Sequence, residues 1–217
     1  MSEETADRGI KVILLGEAGV GKTNLIRVAM GKPFEKEENS TISSTFFENE
    51  VVLNNKKYSY CLWDTAGQEI YRSLNKIFIK ESKIIIIVFA INDENSFNQI
   101  DFWVDYSKKI LGNDGYIFAL VANKSDLFLK QEVSDEKIKQ KAEELNIKLK
   151  ITSAAEDKTG FLDFLQELLT DYITKYSPKG IEEIHSFRIS GNKNKNKKDT
   201  NKKKSKGIFG FFGDCFK

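Results

Sequence analysis

The first residues that could do chemistry are Gly16-Glu17-Ala18-Gly19-Val20-Gly21-Lys22-Thr23. They lie between a short apolar run, Lys11 to Leu15, and a helical pattern, Lys22 to Met30, stopped by Gly31 and Pro33. The spacing G-x-x-x-x-G-K-[ST] between a strand and a helix suits a phosphate-binding loop. Glycines let backbone N–H groups converge on phosphate oxygens, and the helix N-terminus adds the positive end of its dipole. The Lys22 ammonium can reach β- and γ-phosphates, and the Thr23 hydroxyl can ligate Mg2+. A glycine-rich turn that binds nothing is the plain alternative, and the strand–loop–helix setting weighs against it.

Three further runs could complete such a site. Asn123-Lys124-Ser125-Asp126 follows the apolar stretch Tyr116 to Ala122. A carboxylate at Asp126 can accept hydrogen bonds from both N1–H and the exocyclic amine of guanine, a pair that adenine does not offer. Thr152-Ser153-Ala154 follows the next strand-like run, and the Ser153 and Ala154 N–H groups could meet a base oxygen; an ordinary strand-to-helix turn explains those residues as well. In Trp63-Asp64-Thr65-Ala66-Gly67-Gln68-Glu69, Asp64 can hold a water on Mg2+, the Gly67 N–H can face a γ-phosphate and Gln68 can orient an attacking water. Thr41, in a polar loop, could give its hydroxyl to Mg2+ and its N–H to the γ-phosphate, although Ser-Thr pairs are common in loops.

Placing these residues together requires a layered α/β fold. Strand-like runs at Lys11–Leu15, Phe46–Leu53, Lys57–Trp63, Ile84–Ala90, Tyr116–Ala122 and Ile147–Ile151 alternate with helical patterns. Asn54-Asn55-Lys56 reads as a hairpin turn. Asn92 and Asp93 offer caps for one helix through Leu111, Ser134 caps a helix to Leu145, and Thr159–Tyr176 is a long amphipathic helix. The expectation is a mostly parallel six-stranded sheet with one antiparallel strand and helices on both faces. Residues 1–7 are expected to be a flexible N-terminus, 8–177 the folded domain and 178–217 a tail.

Composition narrows the classes. The 217 residues carry two cysteines, Cys61 and Cys215, and one histidine, His185, which excludes a disulfide scaffold, a four-cysteine zinc site and a His-rich metal site. The longest apolar run, Ile84 to Ile91, has eight residues and is far short of a membrane span. No secretory signal is visible in the first thirty residues, and Ser2 excludes N-myristoylation. The formal charge of +2 hides an asymmetry: residues 178–217 hold 11 Lys/Arg against 4 Asp/Glu, a net of +7, which leaves −5 on the preceding 177. Cys61 reads as a small packing residue and His185 as an exposed bystander.

The four motifs, in this order and spacing, resemble the Ras superfamily of small GTPases, and most closely its Rab branch, over about residues 8–177. The resemblance implies a P-loop small G domain that binds GTP or GDP with Mg2+, hydrolyses GTP and alternates between two states. It implies nucleotide contacts from Gly16 through Asn24, from Thr41, Asp64, Gly67, Asn123, Lys124, Asp126, Ser153 and Ala154, and from Phe34 packed on the guanine. Thr23, Thr41 and Asp64 would serve the metal, and Gln68 and Lys22 would be catalytic. Phe46, Trp63 and Phe78 fall where Rab proteins carry an aromatic triad that contacts effectors; core packing of the hairpin is the bland reading of the same three. The family's partners would be an exchange factor, a GTPase-activating protein and effectors, acting on a monomer in vesicle trafficking at the cytosolic face of intracellular membranes. Two other readings share these residues: a P-loop NTPase of another class, and a GTP-bound binding module that cycles slowly or not at all.

The tail departs from the family's paired-cysteine pattern. Cys215 stands third from the end, so no C-a-a-X box exists. Gly191–Lys206 has no apolar residue and is expected to be disordered. Lysines 193–206 could be drawn to anionic headgroups, at about 1 kcal/mol each. Ile208, Phe209, Phe211, Phe212 and Phe216 could insert at the interface, with an acyl chain on Cys215 as a second anchor. A solvated tail that docks on a protein partner is the alternative. Nucleic acid is not expected, because no folded basic face or stacking platform accompanies the lysines.

Other departures are Ser43, where a Gly is usual, the segment Ile77–Glu81, which lacks the usual Tyr-Arg-Gly run, and Ala155, where a Lys is usual. Ala18 places a methyl group where Gln68 and a partner's arginine would act, so intrinsic hydrolysis is expected to be slow. Ala18→Gly should raise the single-turnover GTP hydrolysis rate, and an unchanged rate would refute the crowding.

Overall fold

The computed structural model describes residues 9–36, 45–65 and 72–176. The chain divides into Met1–Ser177 and Pro178–Lys217, and the described residues all belong to the first unit. Their order is β1 (Ile10–Leu15), α1 (Lys22–Ala29), β2 (Thr45–Leu53), β3 (Lys56–Asp64), α2 (Arg72–Ile79), β4 (Ile84–Ala90), α3 (Glu94–Asn98), α4 (Ile100–Leu111), β5 (Ile117–Asn123), a 3-10 turn (Ser125–Lys130), α5 (Asp135–Leu145), β6 (Lys148–Ile151) and α6 (Gly160–Tyr176). The strands form one sheet in the order β2-β3-β1-β4-β5-β6. Only the β2–β3 pair is antiparallel, as the alternation of strand and helix patterns predicts.

The core follows from the two-residue period of the central strands. Val12 and Leu14 of β1, with Ile84, Ile86 and Val88 of β4, meet α1 and α6 through Leu25, Ile26, Phe161, Leu165 and Leu168. Ile13 and Leu15, with Ile85, Ile87 and Phe89, point the other way and meet α4 and α5 through Ile100, Trp103, Val104, Ile138 and Ala142. All seven residues of β4 are buried, so both faces of this strand lie in the core. Each such side chain, fully buried, contributes roughly 1.5–3 kcal/mol, far more than any one loop hydrogen bond.

Two local expectations are corrected. The hairpin turn is two residues, not three: Asn54 and Asn55 both take left-handed backbone angles (φ 51 and 61), and Lys56 already pairs with Leu53. Two left-handed residues match the twist of the flanking strands, and asparagine tolerates that conformation better than most residues. The helix expected from Asp93 to Leu111 is broken at Gln99. Asp93 caps α3 by accepting from the Ser96 N–H (3.1 Å), and the buried Ser96 hydroxyl donates to Asp93 O while accepting from the Ala90 N–H. Those bonds tie α3 to the end of β4, whereas α4 packs on the sheet face, and the chain bends between them. The structure adds helix α2, in which Leu74, Ile77 and Phe78 have the i, i+3, i+4 spacing of a helix.

Candidate functional site

The carboxyl ends of the parallel strands converge on one edge of the sheet, and each delivers a different polar group there. β1 ends at Leu15, and Gly16 opens the loop that leads to α1. Gly16 has φ +146, and a Cβ built on it would collide with the Val88 carbonyl. Gly19 and Gly21 have φ +76 and +95; a Cβ at Gly21 would strike the Asn123 side-chain amide. These positions call for glycine on conformation or space, as a tight phosphate-binding loop requires. Ala18 and Gly19 are exposed at its tip.

Lys22, the first residue of α1, is 5% exposed. Its ammonium donates to Gly16 O (2.9 Å) and Glu17 O (2.8 Å), which curls the loop around it. Burial pushes its pKa down to about 8, against the pull of the Asp64 and Glu17 carboxylates. Across the loop, the Thr23 hydroxyl donates to Asp64 Oδ2 (2.8 Å). Asp64 ends β3 at 1% exposure, and its Oδ1 makes no well-formed hydrogen bond. Burial raises its pKa, opposed by the Thr23 hydroxyl, the Lys22 ammonium and the Thr65 N–H. Thr65 is itself fixed, its hydroxyl donating to Leu14 O (2.7 Å). A buried carboxylate oxygen lacking a good partner, beside a hydroxyl oxygen, fits a hard divalent cation that takes oxygen ligands. The buried ammonium beside three glycines fits phosphate.

The other half of the site is joined to this one by Asn123, the 1% exposed last residue of β5. Its Nδ2 donates to Val20 O (2.8 Å), and its Oδ1 accepts from the Ala154 N–H (3.2 Å). One carboxamide thus ties the phosphate loop to the loop after β6. Asp126 lies in the 3-10 turn, half-buried, with Oδ1 accepting from the Ser153 hydroxyl (2.5 Å). Ser153 Oγ also accepts from the Ala155 and Glu156 N–H groups, so its side chain aims Asp126. The Ala154 N–H expected to meet a base oxygen is already shared with Asn123. Lys124 takes a left-handed backbone (φ 64) that turns the chain from strand to 3-10 turn. Asp157 clips Thr152 and the first turn of α6, accepting from Thr152 Oγ1 (2.9 Å) and the Gly160 N–H (2.8 Å).

Phe34 is 41% exposed. Phe46 and Trp63 are register partners and stack, with centroids 5.1 Å apart, and Trp63 meets Phe78 at 5.4 Å. Phe46 is 44% exposed while Trp63 and Phe78 pack partly on the core, so the three form one strip from surface to interior. Thr41, Gly67 and Gln68 lie outside the described residues, as do Ser43, His185, Cys215 and the tail. Two contacts had no signal in the motifs. Trp103 of α4 donates through Nε1 to Glu17 Oε1 of the phosphate loop (3.1 Å), and Asn24 bonds both backbone groups of Glu35.

A glycine loop around a buried lysine, at the carboxyl edge of a mostly parallel sheet, defines a nucleotide-binding α/β domain. A sequence model of the Ras family matches residues 11–173. The Geodia cydonium protein called Ras-related protein Rab-21 is 36% identical over 162 residues, covering 73% of this chain and 70% of that protein. The chain belongs to the Ras family and is a Rab-like small GTPase, a GTP hydrolase of a group whose usual role is vesicle trafficking. Ras-family proteins bind guanine nucleotides, generally with Mg2+, and work with exchange factors, activating proteins and effectors.

The Asn123 bridge yields a prediction. Asn123→Ala removes two buried hydrogen bonds and leaves Val20 O and the Ala154 N–H without that partner, a loss of about 3 kcal/mol. Guanine-nucleotide affinity, measured calorimetrically, should fall roughly 100-fold. A change under threefold would show that the bridge does not shape the site.

Proposed function

We propose that this chain is a guanine-nucleotide switch whose site is divided between a charge-bearing half and a base-reading half. Lys22 and the loop Gly16–Gly21 hold the β- and γ-phosphates, while Thr23 and Asp64, with Thr41, serve Mg2+. Bound there, the metal would supply charge stabilisation for the phosphoryl oxygens. Gln68 orients the attacking water, and the Gly67 N–H meets the γ-phosphate. Asp126 reads the guanine edge, Asn123 braces both halves, and Phe34 covers the purine face. The triad of Phe46, Trp63 and Phe78 is the surface that effectors read, since its exposed member sits on the strand leading from Thr41. The observation that carries the reading is the pairing of a buried, glycine-wrapped Lys22 with an Asp126 carboxylate aimed by Ser153.

Asp126 decides the nucleotide class. A carboxylate accepts two hydrogen bonds, whereas an amide offers a donor and an acceptor. GDP should bind at least about 1000-fold tighter than ADP, because adenine leaves the carboxylate unpaired. Asp126→Asn should weaken GDP and favour xanthosine diphosphate, whose 2-oxo group accepts the new N–H. Calorimetry with the three nucleotides checks this, and equal affinity for ADP and GDP would point to a P-loop NTPase of another class.

The switch acts, in this reading, at the cytosolic face of a membrane that residues 193–217 engage. Among the described residues no helix is long and apolar enough to cross a bilayer. The support is compositional: clustered lysines followed by phenylalanines supply the two weak signals that membrane anchoring needs. The full chain should sediment with vesicles containing phosphatidylserine in about 0.1 M salt and be released in about 0.5 M salt, where the screening length is roughly twofold shorter. Failure to bind such vesicles at low salt would refute a lipid contact made by the unmodified chain.

A further inference from the structure

Residues Lys32 to Lys36 are all exposed, Phe34 joins neither core cluster, and the Lys32 ammonium lies over the Phe47 ring (4.9 Å). The segment is held by polar bonds from α1. Asn24, in the first turn and 8% exposed, donates through Nδ2 to Glu35 O (2.8 Å) and accepts through Oδ1 from the Glu35 N–H (2.9 Å). Its carboxamide pairs with the Glu35 backbone much as a neighbouring strand would. One turn later, Arg27 forms an ion pair with the Glu35 carboxylate and donates through Nε to Pro33 O (3.4 Å). The Lys32 N–H donates to Arg27 O (2.8 Å). Phe34 therefore sits between two residues whose backbone groups are fixed to α1. The ion pair is largely exposed on the Glu35 side and is weak for that reason. The two bonds of the buried carboxamide are the stronger tie.

We propose that Asn24 is a positioning residue for Phe34, and that its hold on Glu35 sets how long a guanine nucleotide stays bound. The inference rests on the reading of Phe34 as the purine's cover. The side chain of Asn24 acts on the nucleotide at one remove, because its donor and its acceptor are both engaged by Glu35. Only a carboxamide presents a donor and an acceptor side by side at this reach: an aspartate lacks the donor, and glutamine is one methylene longer. Helix formation does not require the asparagine. In a helix interior alanine is the better former, so Asn24→Ala removes the tie without endangering α1.

The test is a dissociation experiment on the full chain loaded with N-methylanthraniloyl-GDP in Mg2+ and chased with unlabelled GDP. Asn24→Ala should release the nucleotide about tenfold faster, the loss of one to two net hydrogen bonds. Phe34→Ala should be at least as fast, and the double variant no faster than Phe34→Ala alone. Asn24→Asp, which sets a buried carboxylate oxygen against the Glu35 carbonyl, should release the nucleotide at least as fast as Asn24→Ala. Hydrogen exchange at the Glu35 amide, followed without nucleotide, should accelerate in Asn24→Ala while the midpoint of thermal unfolding moves little. If Phe34→Ala leaves dissociation unchanged, the base-cover reading of Phe34 fails and takes this inference with it. If Phe34→Ala accelerates release but Asn24→Ala does not, or if the two effects add in full, the base-cover reading stands and the positioning role is overturned.

Discussion

Two opposite charges are buried within each other's field at one edge of the sheet, and much of the site can be read as a response to them. Lys22 and Asp64 are almost wholly removed from water. Dehydrating an ion costs several kcal/mol even after relaxation. Their mutual attraction does not offset that cost, for both pKa values move toward the neutral forms, the lysine down to about 8 and the aspartate upward. The protein's own remedy is incomplete: two backbone carbonyls for the ammonium, and one hydroxyl with the Thr65 N–H for the carboxylate. A polyanion against the lysine and a divalent cation against the aspartate would complete it.

Why these charges meet follows from topology. β3 runs parallel to β1, so Asp64 leaves its strand at the same edge where Leu15 gives way to Gly16. β4 and β5 run parallel to β1 as well, and Asn123 arrives at that edge from the far side of β4. α1 covers one face of the sheet and α4 the other, so the chain departs from β1 at a place where helices diverge. Open α/β sheets bind ligands in the crevice at such a point, outside the carboxyl ends of the strands. Burial of the apolar faces supplies the stability, and its by-product is a rigid edge where several loops emerge within reach of one another.

The fold and the charged half of the site were legible because they rest on local rules. Alternation of β-branched runs with helical patterns predicts the sheet, and G-x-x-x-x-G-K-[ST] places Lys22 and Thr23 without knowledge of the tertiary structure. What stayed hidden depends on contacts between segments far apart in sequence. Ser153 was read for its backbone, yet its hydroxyl aims Asp126, 27 positions away. Asn123 was read as part of a base-binding run, yet it works as a bridge to Val20, 103 positions away. Glu17 stands in the glycine motif among the expected nucleotide contacts, and its side chain accepts from the buried Trp103 indole across 86 positions. The break at Gln99 was missed because the apolar period runs through it, while the bonds that bend the chain come from Ser96 and the end of β4.

These hidden contacts share a character that bears on how a switch can work. The sheet is held by apolar side chains, each worth roughly 1.5–3 kcal/mol when buried. The described loops around the site are held by a few polar ties, each net about 1 kcal/mol, among them Asn24 to Glu35, Asn123 to Val20 and Ala154, and Ser153 to Asp126. A ligand whose contacts contribute a few kcal/mol can therefore rearrange a loop without disturbing the register of any strand. Were the loops anchored by core residues, losing one phosphate would change too little to be sensed. Were the sheet held as lightly as the loops, the same loss would loosen the domain. The separation of apolar scaffold from polar ties makes the response to nucleotide local, and only a local response can be read by a partner on a surface that otherwise stays the same.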